Sequence, residues 1–245
     1  MGFEIALIVV GALIGIVAAA SGITSLWLTM KYFKFNKLQN SLMLSGVEIA
    51  RKILDDNGLE HIQVKSTASL FFGNSYSHYF KHVRLRPFIR HQTSLTSMGM
   101  GAQKAALAIL DKEGDPDMKK RIRLVPLITF GPFAFIPLIT VGVLLDLFMF
   151  GGSGTCTIVL SLLGVIFYVY SIILSILTLK TEKKAQERAY EILQNDYNVS
   201  LAELSSIREL FHLYNIQYIN DIILSMLELL YRVLEIAIAI YRDRK

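Results

Sequence analysis

Five histidines are the first residues in this sequence that suggest a reactive site, because neutral imidazole is a common zinc ligand. They are His61, His78, His82, His91 and His212. A helix binds zinc through two histidines four residues apart, which face the same side. Among the five, only His78 and His82 have that spacing, and they lie in a predicted loop that leads into a strand. We therefore interpret the histidines as polar residues of a membrane-proximal surface.

Cysteine and glycine chemistry add no site. Cys156 is the single cysteine, so an intramolecular disulfide and a thiolate metal cluster are both excluded. The segment "GGSGT" (151–155) resembles a phosphate-binding loop, but no lysine follows its glycines and apolar stretches flank it. It predicts a tight connection between two helices.

Acidic residues recur at regular spacing in the last apolar stretch, Leu213–Tyr241. Asp221, Glu228 and Glu235 are seven residues apart and form one stripe along a helix, and Arg232 can pair with Glu228. Two interpretations remain open, since isolated charges oppose insertion into a bilayer. Either the stripe faces a polar seam inside a bundle, or the helix lies along the membrane surface.

The elements that hold these residues belong to an integral membrane protein. Apolar residues make up 53% of the chain, charged residues 18%, and the mean hydropathy is +0.47. Ile5–Met30 and Thr155–Leu179 contain no charge, and Leu124–Phe150 contains only Asp146. Each exceeds the ~20 residues that cross a bilayer, so we predict three to four transmembrane helices. The first is a retained anchor rather than a secretory signal. A secretory signal begins with basic residues, whereas the residues before this apolar stretch contain Glu4 and no Lys or Arg.

The distribution of charge predicts the orientation. Residues 31–123 contain 16 Lys or Arg against 8 Asp or Glu, whereas the "GGSGT" turn contains none. We expect residues 32–123 and the start of 181–245 to face the cytoplasm, after an anchor at 1–31 and around a hairpin at 124–180. The basic segment "KHVRLRPFIRH" fits this orientation and membrane lipids as partners, so nucleic acid is not expected.

Local patterns predict a small α+β unit within this cytoplasmic part. Ser45 and Glu48 form a capping box that opens a helix in "GVEIARKILDDNG". Ser200 and Glu203 form a second box before the last helical segment. "HIQVK" and "HVRLR" alternate polar and apolar residues, as half-buried strands do. The fold class is thus a mainly α membrane protein with a small cytoplasmic α+β unit, and "SMGMGAQKAALAILD" is its small-residue helix.

The order of these segments, continued by "TLKTEKKAQERAYEIL", resembles the membrane zinc metallopeptidases of the YugP-like type over residues 36–240. The marks of the resemblance are "GVEIARKIL", "HVRL" and the segment Glu182–Leu193. In that family the small-residue helix is a zincin-like active-site helix with the motif HExxH, whose histidines bind zinc while the glutamate activates water.

Aligned with that pattern, the small-residue helix has Gln103, Lys104 and Leu107 at the three motif positions. An amide is a poor zinc ligand, a leucine is none, and an ammonium group repels the metal. The family's third ligand corresponds to Glu182, which is either a retained ligand position or one charge at a solvated helix start. We hypothesise a Lys104–Glu182 ion pair in the metal's structural place.

These positions, interpreted through the resemblance, predict a protein without a cofactor and without catalytic activity. Its expected role is that of a scaffold or regulatory subunit in a bacterial plasma membrane, with a protein partner or a homo- or hetero-oligomer. Two alternatives stay open. One is a zinc metallopeptidase with a rebuilt metal site. The other is a subunit of a transporter, suggested by the acidic stripe and by helix-kinking prolines at Pro126, Pro132 and Pro137.

Overall fold

The computed structural model describes residues 2–67, 73–124 and 132–243. Within them, contacts define two compact units. One comprises the described parts of residues 1–23, 123–176 and 218–245, and the other comprises Thr24–Ile122 and Leu177–Gln217. The described helices are α1 Gly2–Asn36, α2 Gly46–Asp56, α3 Pro87–Arg90, α4 Leu95–Glu113, α5 Pro116–Leu124, α6 Pro132–Phe148, α7 Thr155–Asn195 and α8 Leu201–Asp243.

A three-stranded sheet belongs to the second unit. Its strands, β1 Gln63–Ser66, β2 Ser75–Ser77 and β3 His82–Leu85, are arranged in the order β1-β3-β2. β1 runs parallel to β3 and β2 antiparallel to it. The patterns "HIQVK" and "HVRLR" therefore correspond to real strands. The central strand β3 buries Val83 and Leu85 in the core.

Helix α2 begins where the first capping box predicts. The Glu48 carboxylate accepts from the backbone N–H of Ser45 at 2.7 Å, and Ser45 Oγ accepts from the N–H of Glu48. The apolar face of α2 is fully buried. Because α2 is short, this packing rather than intrinsic propensity stabilises it.

Helix α4 is the centre of the second unit. Every residue from Leu95 to Leu110 is buried, which is the behaviour of a helix surrounded on all sides. Its small residues permit close packing: a Cβ on Gly101 would lie 2.5 Å from the carbonyl oxygen of Gly46 at the start of α2. A Cβ on Gly99 would lie 2.9 Å from Ile207 of α8. The small-residue composition of α4 is therefore a packing requirement.

Two helices among the described residues are long and apolar enough to cross a membrane, α1 and α7. The apolar side chains of α1 are largely exposed, as expected for a helix that lipid surrounds. The predicted span Leu124–Phe150 includes residues 125–131, with Pro126, which lie outside the described residues. Its described part is α6, which has 17 residues and contains Pro137.

In the first unit, α6 and α7 form a tight hairpin, as the "GGSGT" turn predicts. Asp146 accepts hydrogen bonds from the backbone N–H groups of Cys156 and Thr157 at 3.0 and 2.8 Å and so caps α7. The turn glycines Gly151, Gly152 and Gly154 have positive φ. Asp146 is thus a helix cap, and its charge is satisfied at the first turn of the next helix.

The acidic stripe of α8 makes polar contacts with the apolar helices of the same unit. Ser21 of α1 donates to Asp221 at 3.4 Å, and the Tyr168 hydroxyl of α7 donates to Glu228 at 2.7 Å. Arg232 pairs with Glu235 at 2.8 Å, rather than with Glu228 as the spacing suggested. Both acids lie one turn from Arg232, and Glu228 is engaged by Tyr168.

Candidate functional site

Helix α4 places two polar side chains in the core of the second unit. The helix starts at Ser94, whose side chain caps Ser97, and ends at Gly114, which has φ +73°. Gln103 and Lys104 lie in its middle and are only 4% and 6% exposed. A lysine is almost never this buried unless it is paired.

The partner of both side chains is Glu182 of α7, which lies beyond the charge-free stretch and is 4% exposed. Lys104 Nζ is 2.7 Å from Glu182 Oε2. Gln103 Nε2 donates to the same oxygen at 3.0 Å. The structure thus brings together the two residues of the hypothesised ion pair and adds Gln103 to them.

A second cation reaches the other oxygen of this carboxylate. Arg121 of α5 lies 3.4 Å from Glu182 Oε1 and donates to Thr181 Oγ1 at 2.9 Å. Sequence reasoning missed Arg121, because it is one of several cations in the run "KKRIR" and nothing in that run selects it. Gln103, Lys104, Arg121 and Glu182 are called the buried cluster below.

The electrostatics of the buried cluster favour an ionised carboxylate. Burial alone raises the pKa of Glu182, but the charges of Lys104 and Arg121 outweigh burial and hold its pKa below the usual value. Two cations against one anion leave a net positive charge in the core. This positive charge would repel a divalent metal ion.

Leu107 lies one turn further along α4 and is fully buried in the hydrophobic core. Its spacing places it on the same face of the helix as Gln103 and Lys104. It supplies packing and no donor atom. Of the three positions aligned with the HExxH motif, two therefore contact Glu182 and the third is part of the core.

The buried cluster does not fit a zinc ion. Structural and catalytic zinc sites use thiolate, imidazole or carboxylate ligands in a set of three or four. Glu182 is the single such ligand in the cluster, and a cation or amide donor is near each of its oxygens. Across residues 2–67, 73–124 and 132–243 no group of three or more His, Cys, Asp or Glu could hold a metal ion.

The histidines are dispersed in the structure. His61, His91 and His212 are exposed, whereas His78 contacts Asp111 at 2.6 Å. The prediction of a surface position is wrong for His82, which is 3% exposed. It begins β3, the Phe80 ring stacks on its ring with the two centroids 5.8 Å apart, and its Nδ1 lies 3.2 Å from the Phe80 carbonyl oxygen.

Comparison with known proteins identifies relatives over nearly the whole chain. A family model described as "Putative neutral zinc metallopeptidase" matches residues 9–237. The chain is 25% identical over 219 residues to the "Putative membrane protease YugP" of Bacillus subtilis (strain 168), which covers 86% of this chain and 91% of that protein. No solved structure matches the chain. The resemblance stated from the sequence is confirmed.

These matches correct one prediction. The chain was expected not to be an enzyme, yet the matching family and the Bacillus relative are both named as proteases. The expectation was wrong because it generalised from three side chains of α4, which argue against one metal-based route and not against action on peptides. Neither match supports a scaffold or regulatory role or a transporter subunit. The alignment of Gln103, Lys104 and Leu107 with the motif stays a prediction.

Proposed function

Because the chain belongs to the neutral zinc metallopeptidase family, we propose that it acts on polypeptide chains at a membrane. The family match over residues 9–237 is the observation that carries this proposal. The helices α1 and α7, which are long and apolar enough to cross a membrane, support the membrane location.

The polypeptide binds in a groove of about 500 Å³ between α7 and α8 of the second unit. Tyr190 and Phe211 give it aromatic walls, and Arg208 stacks 4.1 Å from the Tyr190 ring centre. Gln186 and Asn215 exchange hydrogen bonds at 2.7 and 3.2 Å. Paired amides retain further donor and acceptor positions, which suit a peptide backbone.

The buried cluster supports this function by joining helices α4, α5 and α7. Lys104 and Gln103 of α4 and Arg121 of α5 converge on Glu182 of α7, so three helices share one carboxylate. A zinc ion with ligands on α4 and α7 would link the same two helices. The Lys104–Glu182 pair supplies that link without a cofactor.

The membrane topology follows from charge and from α8. Residues 32–123 and the start of 181–245 face the cytoplasm, because Lys and Arg are retained on that side of a bacterial plasma membrane. Helix α8 spans the bilayer with its acidic stripe turned toward Ser21 and Tyr168. Its exposed apolar residues Ile223, Met226 and Leu230 then face lipid.

The test uses the full chain reconstituted in lipid and an unfolded polypeptide such as reduced casein. We expect saturable binding, and sequencing of new amino termini reports any cleavage. Glu187→Trp fills the groove and should weaken binding at least about tenfold, whereas Glu60→Trp, on an exposed site elsewhere, should not. Absence of both binding and cleavage would overturn the function. Equal binding by the two variants would show that the groove is not the polypeptide-binding site.

A further inference from the structure

A small pocket of about 180 Å³ lies beside the last turns of α4 and shares no lining residue with the groove or the buried cluster. Pockets for drug-sized ligands begin at about 300 Å³, so this one admits only a small chemical group. The polar residues in its wall are His61, Tyr76, His78, Lys81, Asp111 and Lys112.

Basic groups dominate this wall. Two lysines and two histidines face a single carboxylate, Asp111, among the described lining residues. With both histidines neutral the wall has a net charge of +1, from Lys81 and Lys112 against Asp111. A concave wall with a net positive charge attracts anions. The charge therefore favours an anionic ligand.

The one carboxylate is already occupied by protein donors. Its Oδ2 accepts from the Tyr76 hydroxyl at 2.6 Å and lies 2.6 Å from His78 Nδ1. Asp111 is largely buried. The pKa of Tyr76 is raised mainly by the burial of its own hydroxyl and further by the neighbouring Asp111 carboxylate. Tyr76 consequently stays a neutral donor, and Asp111 orients the His78 ring.

Lys81 keeps part of its donor capacity. Its Nζ lies 3.4 Å from His78 Nδ1 and 3.9 Å from Asp111 Oδ2, and these two contacts leave at least one of its three N–H groups for a ligand. The backbone of Lys81 has φ +47°, a left-handed conformation that is unfavourable for a residue with a side chain. This residue belongs to the turn between β2 and β3, and it lines the pocket. Lys112 is fixed by a hydrogen bond to the Asn57 carbonyl at 2.6 Å.

We propose that this pocket binds an oxyanion, with the ammonium groups of Lys81 and Lys112 as charge partners and the His78 ring as part of the binding wall. Asp111 acts as a positioning residue. The ligand group is a carboxylate, such as the carboxyl terminus of a polypeptide, or a phosphate. Both present the same negatively charged oxygens to ammonium groups.

The proposal is tested by thermal unfolding of the purified full chain in detergent at constant ionic strength. Three probes are titrated separately: inorganic phosphate, an acetylated dipeptide with a free carboxylate, and the same dipeptide as an amide. We expect saturable stabilisation by phosphate or by the free carboxylate. Which of them acts identifies the source of the oxyanion.

Two variants decide whether the effect belongs to the pocket. Lys81→Gln removes the charge from an exposed turn and should weaken the apparent affinity at least about tenfold, as expected for loss of a charge-assisted contact. Lys65→Gln removes a charge from β1 of the same sheet, outside the pocket wall, and should leave it unchanged. Stabilisation by the amide alone, by no probe, or to the same extent in Lys81→Gln would overturn the proposal. None of these results bears on casein binding in the groove.

Discussion

The ammonium of Lys104 lies 2.7 Å from a carboxylate oxygen of Glu182, with the two side chains only 8% and 5% exposed. At this burial both charges have lost most of their hydration, so each depends on the other for compensation. Arg121, 3.4 Å from the second oxygen, makes the arrangement a three-charge cluster rather than an isolated pair.

Lys104→Ala should lower the thermal stability of the protein more than Lys112→Ala does. Removal of one partner from a buried pair typically costs about 3 to 5 kcal/mol, and Arg121 should hold the loss near the lower end. Lys112 is more exposed and donates to a backbone carbonyl, so its loss should cost about 1 kcal/mol. Thermal unfolding in detergent measures both. Equal shifts in melting temperature would contradict a structural role for the pair.

A double-mutant cycle isolates the pair itself. Lys104→Met combined with Glu182→Met should cost less than the sum of the two single substitutions, because the double variant leaves neither charge without its partner. The coupling energy should be at least about 1 kcal/mol. Arg121→Met gives the matched comparison for the longer contact, and its coupling to Glu182→Met should be smaller. Strictly additive effects would show that Lys104 and Glu182 act independently.

The stability of the protein should decrease at acid pH partly because of Glu182. The pKa of Glu182 is lower in the folded protein than its ordinary value of about 4.3. Its stabilising contribution is therefore complete above the ordinary pKa and is lost as the pH falls through the folded pKa. Denaturant unfolding measures the free energy of unfolding from about pH 6 to about pH 3. This free energy should fall less with decreasing pH in Glu182→Gln than in the unaltered chain. The same curve for both would refute this assignment, and Glu60→Gln is the control.

The alignment of α4 with the family motif can be tested by restoring the motif. The triple variant Gln103→His, Lys104→Glu and Leu107→His should bind about one zinc per chain, with Glu182 as a ligand, whereas Gln103→His alone should not. Metal analysis after dialysis gives the readout. A triple variant that folds and stays metal-free would show that these three positions are not the motif positions.

Sequence reasoning succeeded where the signal is local and failed where distant contacts decide. Ser45 and Glu48 predict the start of α2 because a capping box needs only four residues. The three-residue strand β2 was missed, since its pairing with β3 and not its own composition defines it. No feature of the sequence reveals that Arg121 reaches Glu182, 61 residues away.

Helix α8 provides the last prediction, which concerns its path through the bilayer. A helix that spans with its acidic stripe toward Ser21 and Tyr168 places Tyr241 on the same side as the turn at Ser153 and opposite the end of α7 at Asn195. In a Cys156→Ser background, Tyr241→Cys and Ser153→Cys should react with a membrane-impermeant maleimide on intact cells. Asn195→Cys should react only after permeabilisation. If Tyr241→Cys follows Asn195→Cys instead, α8 lies along the cytoplasmic surface, and its acidic stripe does not enter the membrane.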